Sequence, residues 1–463
     1  MSTTLLAAET WAQQEFALAE LGDARRSQRL VKIATRLANV PSGTLPQAFA
    51  DWTELKAAYS FFGQAGVTHE GVQAAHVERT RQACRQPGEY LLIEDTTSLN
   101  YSRRLVAFEL GPLGDHCGKG FELHTALAVR VEAWNLDQRP EGVVVGLFDQ
   151  QCRRPRSAPV GESRRACLSR PRKSQAWAAA LKSAGRPPVG SQWVYVADRE
   201  SDFYEPLQRC QQHGVDFVIR ASWNRRLAGA AGHLEPALAA APVLGVGYVE
   251  LRSRGKAPAR TVTVEFRSVR VDLDGPWRPT GWQPPLANIG VVEVREVTAT
   301  GEPLRWVLLT SLPCQTLVEA QRVAGRYTAR WLVEEYHKAL KSGTGVEASQ
   351  LSTGDRLEAL VGVLAVVAVR LLNTKQLARS NPESAVPGAL FDPQILTLLE
   401  KKMGAPPAGW SHRSLLRALA RVGGFIGRKS DGEPGWQTIW RGWQRLMWMA
   451  EGANLIEPQK RCG

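Results

Sequence analysis

The sequence lacks the cysteine patterns that mark disulfide-stabilised or zinc-binding proteins. Its 463 residues include seven cysteines, an odd number, and no two of them form a CxxC pair. We therefore expect neither a disulfide framework nor a zinc site. Reduced cysteine thiols, as in the cytosol, are expected instead.

Long apolar stretches are also lacking. No run of about 18 apolar residues occurs, so no membrane span is predicted. The first residues show no basic segment followed by a long apolar stretch, so no secretory signal is predicted. Internal repeats and low-complexity tracts are absent as well. We therefore expect about two to four folded units in the cytoplasm and no membrane partner.

Acidic residues are too few to balance the basic ones. Lys and Arg number 58 against 45 Asp and Glu, which gives a formal net charge of +13. Such an excess favours a polyanionic partner, most commonly nucleic acid. Charge alone does not separate nucleic acid from an anionic membrane surface. The 44% hydrophobic fraction is ordinary for a globular protein with a sizeable core.

Hydrophobic patterning predicts helical ends around a strand-rich middle. The first ninety and the last hundred residues favour helices. Apolar runs predict strands at 90–93, 124–134, 142–148, 193–197 and 216–221. Residues 247–311 form a β-rich block between two α/β segments, and we interpret this block as an insertion. Residues 153–173 are strongly basic and contain three prolines. That segment either lies along DNA or is a solvated linker.

Asp23 is a predicted N-cap for a helix that ends near Asn39. At about 100° per residue, the helix carries two separate faces. The apolar face contains Leu30, Ile33, Ala34 and Leu37, and a narrow basic stripe contains Arg25, Arg29, Lys32 and Arg36. The stripe suits a phosphate backbone, but the solvated face of an ordinary helix is the simpler interpretation.

Three acidic residues are candidates for chemistry. Asp95 and Asp198 each follow an apolar run, and strand ends in α/β sheets are where ligands bind. Glu334 lies on a long helix that is predicted from about residue 317 or 324 to 341. Carboxylate oxygens are the ligands that Mg²⁺ and Mn²⁺ prefer. Each acid taken alone has a simpler interpretation as a cap or turn residue.

Helical geometry groups Glu334 with three other residues. At about 100° per residue, Tyr327, Arg330, Glu334 and Lys341 share one face, and Val333, Tyr336 and Leu340 lie on the opposite one. An acid flanked by cations could bind a metal beside a phosphate. A surface helix with a solvated charged face would have the same pattern.

The spacing Tyr327-x2-Arg330-x3-Glu334-x6-Lys341 resembles the YREK signature of the insertion-sequence-four, transposon-five-like DDE transposases. Three further motifs resemble that family in the same order. EDTTSL at 94–99 and DRESD at 198–202 are similar to its two aspartate motifs, and LGDARR at 21–26 is similar to its end-binding helix. Residues 423–436 resemble its C-terminal region.

The resemblance implies an α/β fold with a ribonuclease H-like catalytic core, a β-strand insertion and helical flanking domains. The expected boundaries are a DNA-end-binding domain at 1–75, a core at 76–222 and 312–375, an insertion at 223–311, and a dimerisation domain at 376–463. The implied partners are double-stranded transposon-end DNA, target DNA and a second copy of the chain in the DNA complex. Such a protein is expected in the cytoplasm with the nucleoid.

The resemblance also implies the chemistry of the site. Asp95, Asp198 and Glu334 would bind two Mg²⁺ ions, for which Mn²⁺ can substitute. The implied reaction is cut-and-paste transposition through a DNA hairpin, each step being a phosphoryl transfer. Two other classes remain open, a non-catalytic relative that represses transposition and a free-standing metal-dependent nuclease.

DNA contacts are implied at matching positions. Tyr327, Arg330 and Lys341 would hold phosphates, and Trp306 would accept a displaced base, although a core position is the ordinary role of a tryptophan. Arg220 would contact DNA or form a salt bridge. Arg25, Arg26 and Arg29 would bind the transposon end. A last set recurs at helical spacing and predicts either a dimer face or packing within one chain: Trp436, Trp440, Trp443 and Met447. His124 is expected to be structural.

Overall fold

In the computed structural model the protein is described over residues 7–456, except 42–43, 50, 115–117, 157–160, 162, 164–174, 230–231, 252–259, 279–280, 298–302, 381, 387–392 and 429–430. Most of the basic segment 153–173 therefore lies outside the described residues. The N-terminal helices are α1 (Ala8–Phe16), α2 (Ala24–Asn39), α3 (Leu45–Ala48), α4 (Trp52–Phe62) and α5 (His69–Cys84).

Helix α2 has the cap and the two faces that its sequence predicts. The Asp23 carboxylate accepts a hydrogen bond from the Arg25 backbone N–H at 2.8 Å, which satisfies one free donor of the first turn. The apolar face is buried through Leu30, Ile33, Ala34 and Leu37. The predicted helix from Asp23 to Asn39 is thus confirmed.

The strands form one continuous sheet, apart from a short two-stranded ribbon. In chain order they are β1 (Gly88–Asn100), β2 (Gly111–Leu113), β3 (Gly118–Trp134), β4 (Pro140–Arg153), β5 (Ser191–Ala197), β6 (Asp216–Arg220), β7 (Val243–Leu251), β8 (Arg260–Leu273), β9 (Trp277–Arg278), β10 (Gly281–Trp282), β11 (Leu286–Glu296) and β12 (Arg305–Thr310). Their order is β2-β3-β1-β5-β6-β12-β11-β8-β7, with β4 on β3 and the ribbon β9-β10 separate.

The β-rich block extends the core sheet instead of forming its own sheet. Strand β1 pairs in parallel with β5, and β5 with β6. Strand β12 then pairs antiparallel with β6, Leu309 lying opposite Ile219. Strands β11, β8 and β7 continue outward from β12. Helices α6 (Ala180–Ala184), α7 (Tyr204–His213) and α8 (Leu234–Ala240) lie between the strands in the chain.

The long helix predicted up to residue 341 is interrupted, so that prediction was wrong in detail. Helix α9 (Leu317–Ala329) ends at Arg330, α10 (Trp331–Lys338) begins there, and a π-helical turn follows at Ala339–Gly343. At the break the Arg330 N–H donates to the Tyr327 carbonyl at 3.1 Å, an i to i+3 bond that tightens the turn. Lys341 therefore lies in the wide turn and not on the helix of Glu334.

Helix α11 (Gly354–Ser380) is the core helix of the C-terminal part, and α12 (Pro393–Met403), α13 (His412–Val422) and α14 (Trp436–Ile456) follow it. Its segment Gly354–Arg379 is long and apolar enough to cross a membrane by length and composition alone. In the protein, however, 83% of the most apolar 18-residue stretch of this helix is buried. The core helix of a folded domain is equally long and apolar, so length and composition do not indicate a membrane span.

Three tryptophans of α14 pack inside their own chain, while Trp448 on the same helix is exposed. Trp436, Trp440 and Trp443 are all buried, and the first two stack with ring centroids 5.4 Å apart. Of the two roles left open by their spacing, packing within one chain is therefore the one observed.

A buried ion pair joins α14 to the core. The Lys375 ammonium on α11 donates to the Glu335 carboxylate on α10 at 2.6 Å, and the Trp436 and Trp331 indoles also donate to that carboxylate. Burial acts to raise the pKa of Glu335, but the charge and hydrogen bond of Lys375, together with Arg379 and the Trp331 indole, outweigh it and hold the pKa at about 2.

Replacing Lys375 with Met preserves the bulk of the side chain but leaves the Glu335 carboxylate buried without its cation. We expect the free energy of unfolding to fall by about 3 kcal/mol, seen as a lower urea midpoint in circular dichroism. Lys402→Met, at an exposed position of α12, is the control and should leave the midpoint unchanged. Equal midpoints for the two variants would show that the pair adds no stability.

Candidate active site

Asp95 lies inside a strand, at the point where parallel pairing stops. Strand β1 pairs with β5 as far as Ile93, opposite Val196, but its antiparallel pairing with β3 continues to Asn100. The prediction that the strand ends just before Asp95 was therefore wrong, because β3 supplies partners for six further residues. Asp95 still occupies the edge where the parallel strands end.

Asp198 follows β5 directly, as its sequence predicts. Its carboxylate accepts from the Glu200 N–H at 2.8 Å and caps the short 3₁₀ turn Arg199–Ser201. Because β1 and β5 are adjacent and parallel, Asp95 and Asp198 emerge at the same edge of the sheet.

Glu334 is brought to Asp95 by one guanidinium group. Arg330 donates from Nη1 to Asp95 Oδ2 at 3.0 Å and from Nη2 to Glu334 Oε1 at 2.5 Å. All three side chains are largely shielded from solvent. The break between α9 and α10 is thus the position from which Arg330 joins two acids that are 239 positions apart in the chain.

Asp95 shows that negative charge is crowded at this edge. Burial raises its pKa from 3.8 to about 6, Arg330 opposes that rise, and both Asp198 and Glu334 add to it. The two acids repel an ionised Asp95, which they can do only from nearby. The three carboxylates therefore share one electrostatic environment.

The donor atoms suit a divalent cation, although the distances do not form a closed cage. Carboxylate oxygens are hard ligands of the kind that Mg²⁺ and Mn²⁺ prefer. Within the described ranges, no three Asp, Glu, His or Cys side chains approach closely enough to hold one ion together. Arg330 lies between Asp95 and Glu334 and satisfies part of their charge, so a cation bound to both would have to displace that guanidinium.

An aromatic pair borders the acids. The rings of Trp306 on β12 and Tyr327 on α9 meet edge to face, with centroids 5.2 Å apart. The Arg330 guanidinium lies 6.0 Å from the Tyr327 ring centroid. Lys341 is half-buried in the π-helical turn, and burial lowers its pKa while Glu347 opposes that shift.

The remaining predicted DNA contacts are more scattered. Arg220, at the end of β6, donates to the Arg305 carbonyl at 3.1 Å. Arg25 is exposed and pairs with Asp23 at 2.8 Å. Arg26 turns inward, donating to the Leu21 carbonyl at 2.9 Å, while Arg29 is half-buried on α2. The roles of these four arginines in DNA binding stay predictions.

A buried network on the opposite face of β1 was not predicted. Because side chains alternate along a strand, Glu94 points away from Asp95 and into the core. Its Oε2 accepts from the Tyr195 hydroxyl at 2.9 Å, the Ala178 N–H at 2.8 Å and His124 Nε2 at 3.2 Å. The Tyr195 hydroxyl also bonds Ser201 at 2.9 Å. The network fixes β1 against the turn that follows Asp198, and His124 has the structural role expected of it.

The sequence gives one indication of this network, because Glu94 is an acidic residue at the end of an apolar run. A charge inside a buried strand needs several partners. Those partners come from residues 124 to 201, so their identity depends on the strand order and not on local sequence.

Family comparisons match three parts of the chain. A transposase DNA-binding model matches residues 8–67, a transposase DDE domain model residues 174–370, and a transposase Tn5 dimerisation domain model residues 366–462. The DDE match includes Asp198 and Glu334, while Asp95 lies ahead of it. Together the three models leave only residues 1–7, 68–173 and 463 unmatched.

A solved structure, the piggyBac transposase synaptic complex with hairpin DNA, is similar over 84% of this chain at 8% identity and a TM-score of 0.30. The match covers 58% of that chain, so this chain spans less than two thirds of its length.

Neutralising Asp95 should stabilise the protein at neutral pH when divalent ions are removed with EDTA. Ionised Asp95 costs the folded state about 3 kcal/mol, because its pKa is about 6 in the folded state and near 3.8 in the unfolded state. We expect Asp95→Asn to melt a few degrees above wild type at pH 7.5, with Asp137→Asn on an exposed turn as control.

The pH dependence gives the sign of the effect. As pH falls from about 6 to 4, folded Asp95 takes up a proton before the unfolded chain does, so wild type regains stability. The difference in melting temperature between Asp95→Asn and wild type should therefore become smaller. A gap that stays constant from pH 7.5 to 4.5 would contradict a raised pKa.

Proposed function

This chain belongs to the Tn5-like DDE transposases of the insertion-sequence-four family, and from that membership we propose that it cuts and rejoins DNA at the ends of a mobile element. The observation that carries the proposal is the Arg330 guanidinium, which brings Asp95 and Glu334 together beside Asp198. Two acids and a cation are in contact there, and Asp198 follows the adjacent parallel strand at the same sheet edge, which suits positioning and charge stabilisation in phosphoryl transfer.

The proposed cofactor is a pair of Mg²⁺ ions, with Mn²⁺ able to substitute, since DDE transposase domains generally use divalent metal ions. Asp95, Asp198 and Glu334 would hold them. When bound, such ions activate the attacking oxygen and stabilise the leaving oxygen of a phosphodiester.

The chain's own side chains would orient the DNA. Arg330 carries a planar pair of donors that fits a phosphate bidentately, so a phosphate arriving at the site can take over the donors that Asp95 and Glu334 now share. Lys341 would hold the same strand as a point charge. The edge-to-face pair of Trp306 and Tyr327 would border the phosphate and offer an aromatic surface to a displaced base.

The proposed reaction is a series of in-line phosphoryl transfers. Hydrolysis at the element's end frees a 3′-OH, which attacks the opposite strand and leaves a hairpin. Water opens the hairpin and restores the 3′-OH, which then attacks target DNA. Each step breaks one phosphodiester or hairpin P–O bond and forms another, so one group of acids could serve every step.

We propose that different segments of the chain have different functions. Residues 1–75 would bind the transposon end, 76–222 and 312–375 would form the catalytic core, 223–311 the insertion, and 376–463 the dimerisation domain. Helix α5 crosses residue 75, which would tie the end-binding part firmly to the core. In the DNA complex two copies would each act on the end bound by the other, in the cytoplasm with the nucleoid.

Glu334→Gln tests the catalytic assignment while keeping the shape of the side chain. On duplexes carrying the inverted repeats that flank the gene, we expect Mg²⁺-dependent cleavage to fall at least about a hundredfold. End binding in a mobility-shift assay should change less than about threefold. Glu78→Gln, on the exposed side of α5, is the control for loss of one carboxylate.

The outcomes separate the competing functions. Loss of binding together with cleavage would contradict the role assigned to Glu334. Wild type that binds the ends tightly but never cuts would indicate a repressor, and wild type that cuts any duplex would indicate a free-standing nuclease.

Trp306→Ala tests the proposed base-accepting role. Stacking on an aromatic ring contributes about 1–3 kcal/mol per base, so hairpin formation should slow by about five- to a hundredfold. The first nick, which needs no displaced base, should keep its rate. Both products are resolved on a denaturing gel, and equal slowing of nick and hairpin would assign Trp306 a structural role.

A further inference from the structure

Trp223 is a large side chain left in solvent beside the candidate site. Its exposed fraction is 69%, and it follows the end of β6 by three residues. An exposed indole offers a large aromatic face on which a flat ring can stack, and the place of Trp223 next to the candidate site distinguishes it from the other exposed tryptophans.

The turn that carries Trp223 is held rigidly from below. The Asp202 carboxylate, 2% exposed, accepts from the Ser222 N–H at 2.5 Å and from the Trp223 N–H at 3.2 Å. It also pairs with the Arg225 guanidinium at 2.5 Å. Three donors on one buried carboxylate fix the backbone of the turn, so the exposed indole starts from an ordered support.

The same turn is bonded to the segment of Asp198. The Ser222 hydroxyl donates to the carbonyl of Arg199, the residue after Asp198, at 2.9 Å. On its other side the Ala221 N–H donates to the Val307 carbonyl, next to Trp306, at 2.8 Å. Trp223 is therefore presented at the sheet edge that holds both Asp198 and Trp306.

The surroundings favour an anionic partner with flat rings. Arg199 and Arg226 are exposed, with Glu200 following the first and Asp274 lying 3.7 Å from the second, and Arg225 pairs with the buried Asp202. Cations that track a backbone and an aromatic ring on which a base stacks are the two elements of single-strand recognition. Inside a duplex both faces of a base are covered, so the indole could stack only where a strand is opened.

We propose that Trp223 is a second base-stacking residue, which binds an unpaired nucleotide of the DNA strand next to Asp198. The inference deepens the proposed function and rests on it for the presence of opened DNA at this edge. Trp306 and Trp223 would then hold nucleotides on two sides of one scissile position.

The test uses a probe that needs no knowledge of the transposon ends. Full-length protein is titrated with a fluorescein-labelled dT12 oligonucleotide at low salt, followed by anisotropy. Stacking on one ring is worth about 1–3 kcal/mol, so Trp223→Ala should weaken dT12 binding by about five- to a hundredfold, and Trp223→Phe should restore most of it. Trp282→Ala, with 70% of its side chain exposed on the ribbon β9-β10, is the matched control and should bind like wild type.

A second measurement locates the contact. A dT12 carrying one 5-iodouracil is irradiated with the wild-type protein, and the crosslinked peptide is identified by mass spectrometry. Crosslinking at Trp223 supports the inference. Equal dT12 affinity for wild type and Trp223→Ala, with crosslinks elsewhere, would overturn it.

The two proposals can fail separately. If Trp223→Ala loses dT12 binding while wild type never cuts its own ends, the stacking role stands and the transposase activity does not. If wild type cuts its ends and Trp223→Ala binds dT12 and forms hairpins as wild type does, the activity stands and the stacking role does not.

Discussion

The site depends on one guanidinium between two carboxylates. Arg330 reaches Asp95 at 3.0 Å and Glu334 at 2.5 Å, in a place where burial and Asp198 would otherwise leave negative charge uncompensated. Such an arrangement is stable only while the cation stays, since removing one partner from a shielded ion group leaves the others unpaired. The same charge makes the site receptive to cations and, through Arg330, to phosphates.

Two buried carboxylates adjacent to the candidate acids keep them in position. Glu94 alternates with Asp95 on β1 and binds three donors that belong to β3, to β5 and to residues just before α6. Glu335 follows Glu334 on α10 and binds Lys375 of α11 and Trp436 of α14. In both pairs the candidate acid contacts Arg330, and its buried neighbour anchors the element that carries it. The second anchor also connects the dimerisation region to the helix of Glu334.

Local sequence predicted the parts of the fold that local interactions decide. The cap at Asp23, the apolar face of α2 and the strand before Asp198 all follow from residues within one element. Two predictions failed where distant residues decide the outcome. Strand β1 runs past Asp95 because β3 pairs with it, and the helix breaks at Arg330, whose side chain bonds acids on two elements. Periodicity cannot detect the extension of β1, because it arises from pairing with a strand that is distant in the chain.

The continuity of the sheet explains how the strand-rich block could take part in the proposed chemistry. Had the block formed its own sheet, the position of Trp306 relative to Asp198 would depend on a flexible connection. Instead β12 pairs directly with β6, and β6 with β5, so hydrogen bonds fix the register from Asp198 across to the residues beside Trp306. The turn after β6 shares that frame through Ala221 and Ser222. Groups that would bind the reacting phosphate and groups that would hold opened bases are therefore positioned by one rigid element, as preorganised binding of a strained DNA end requires.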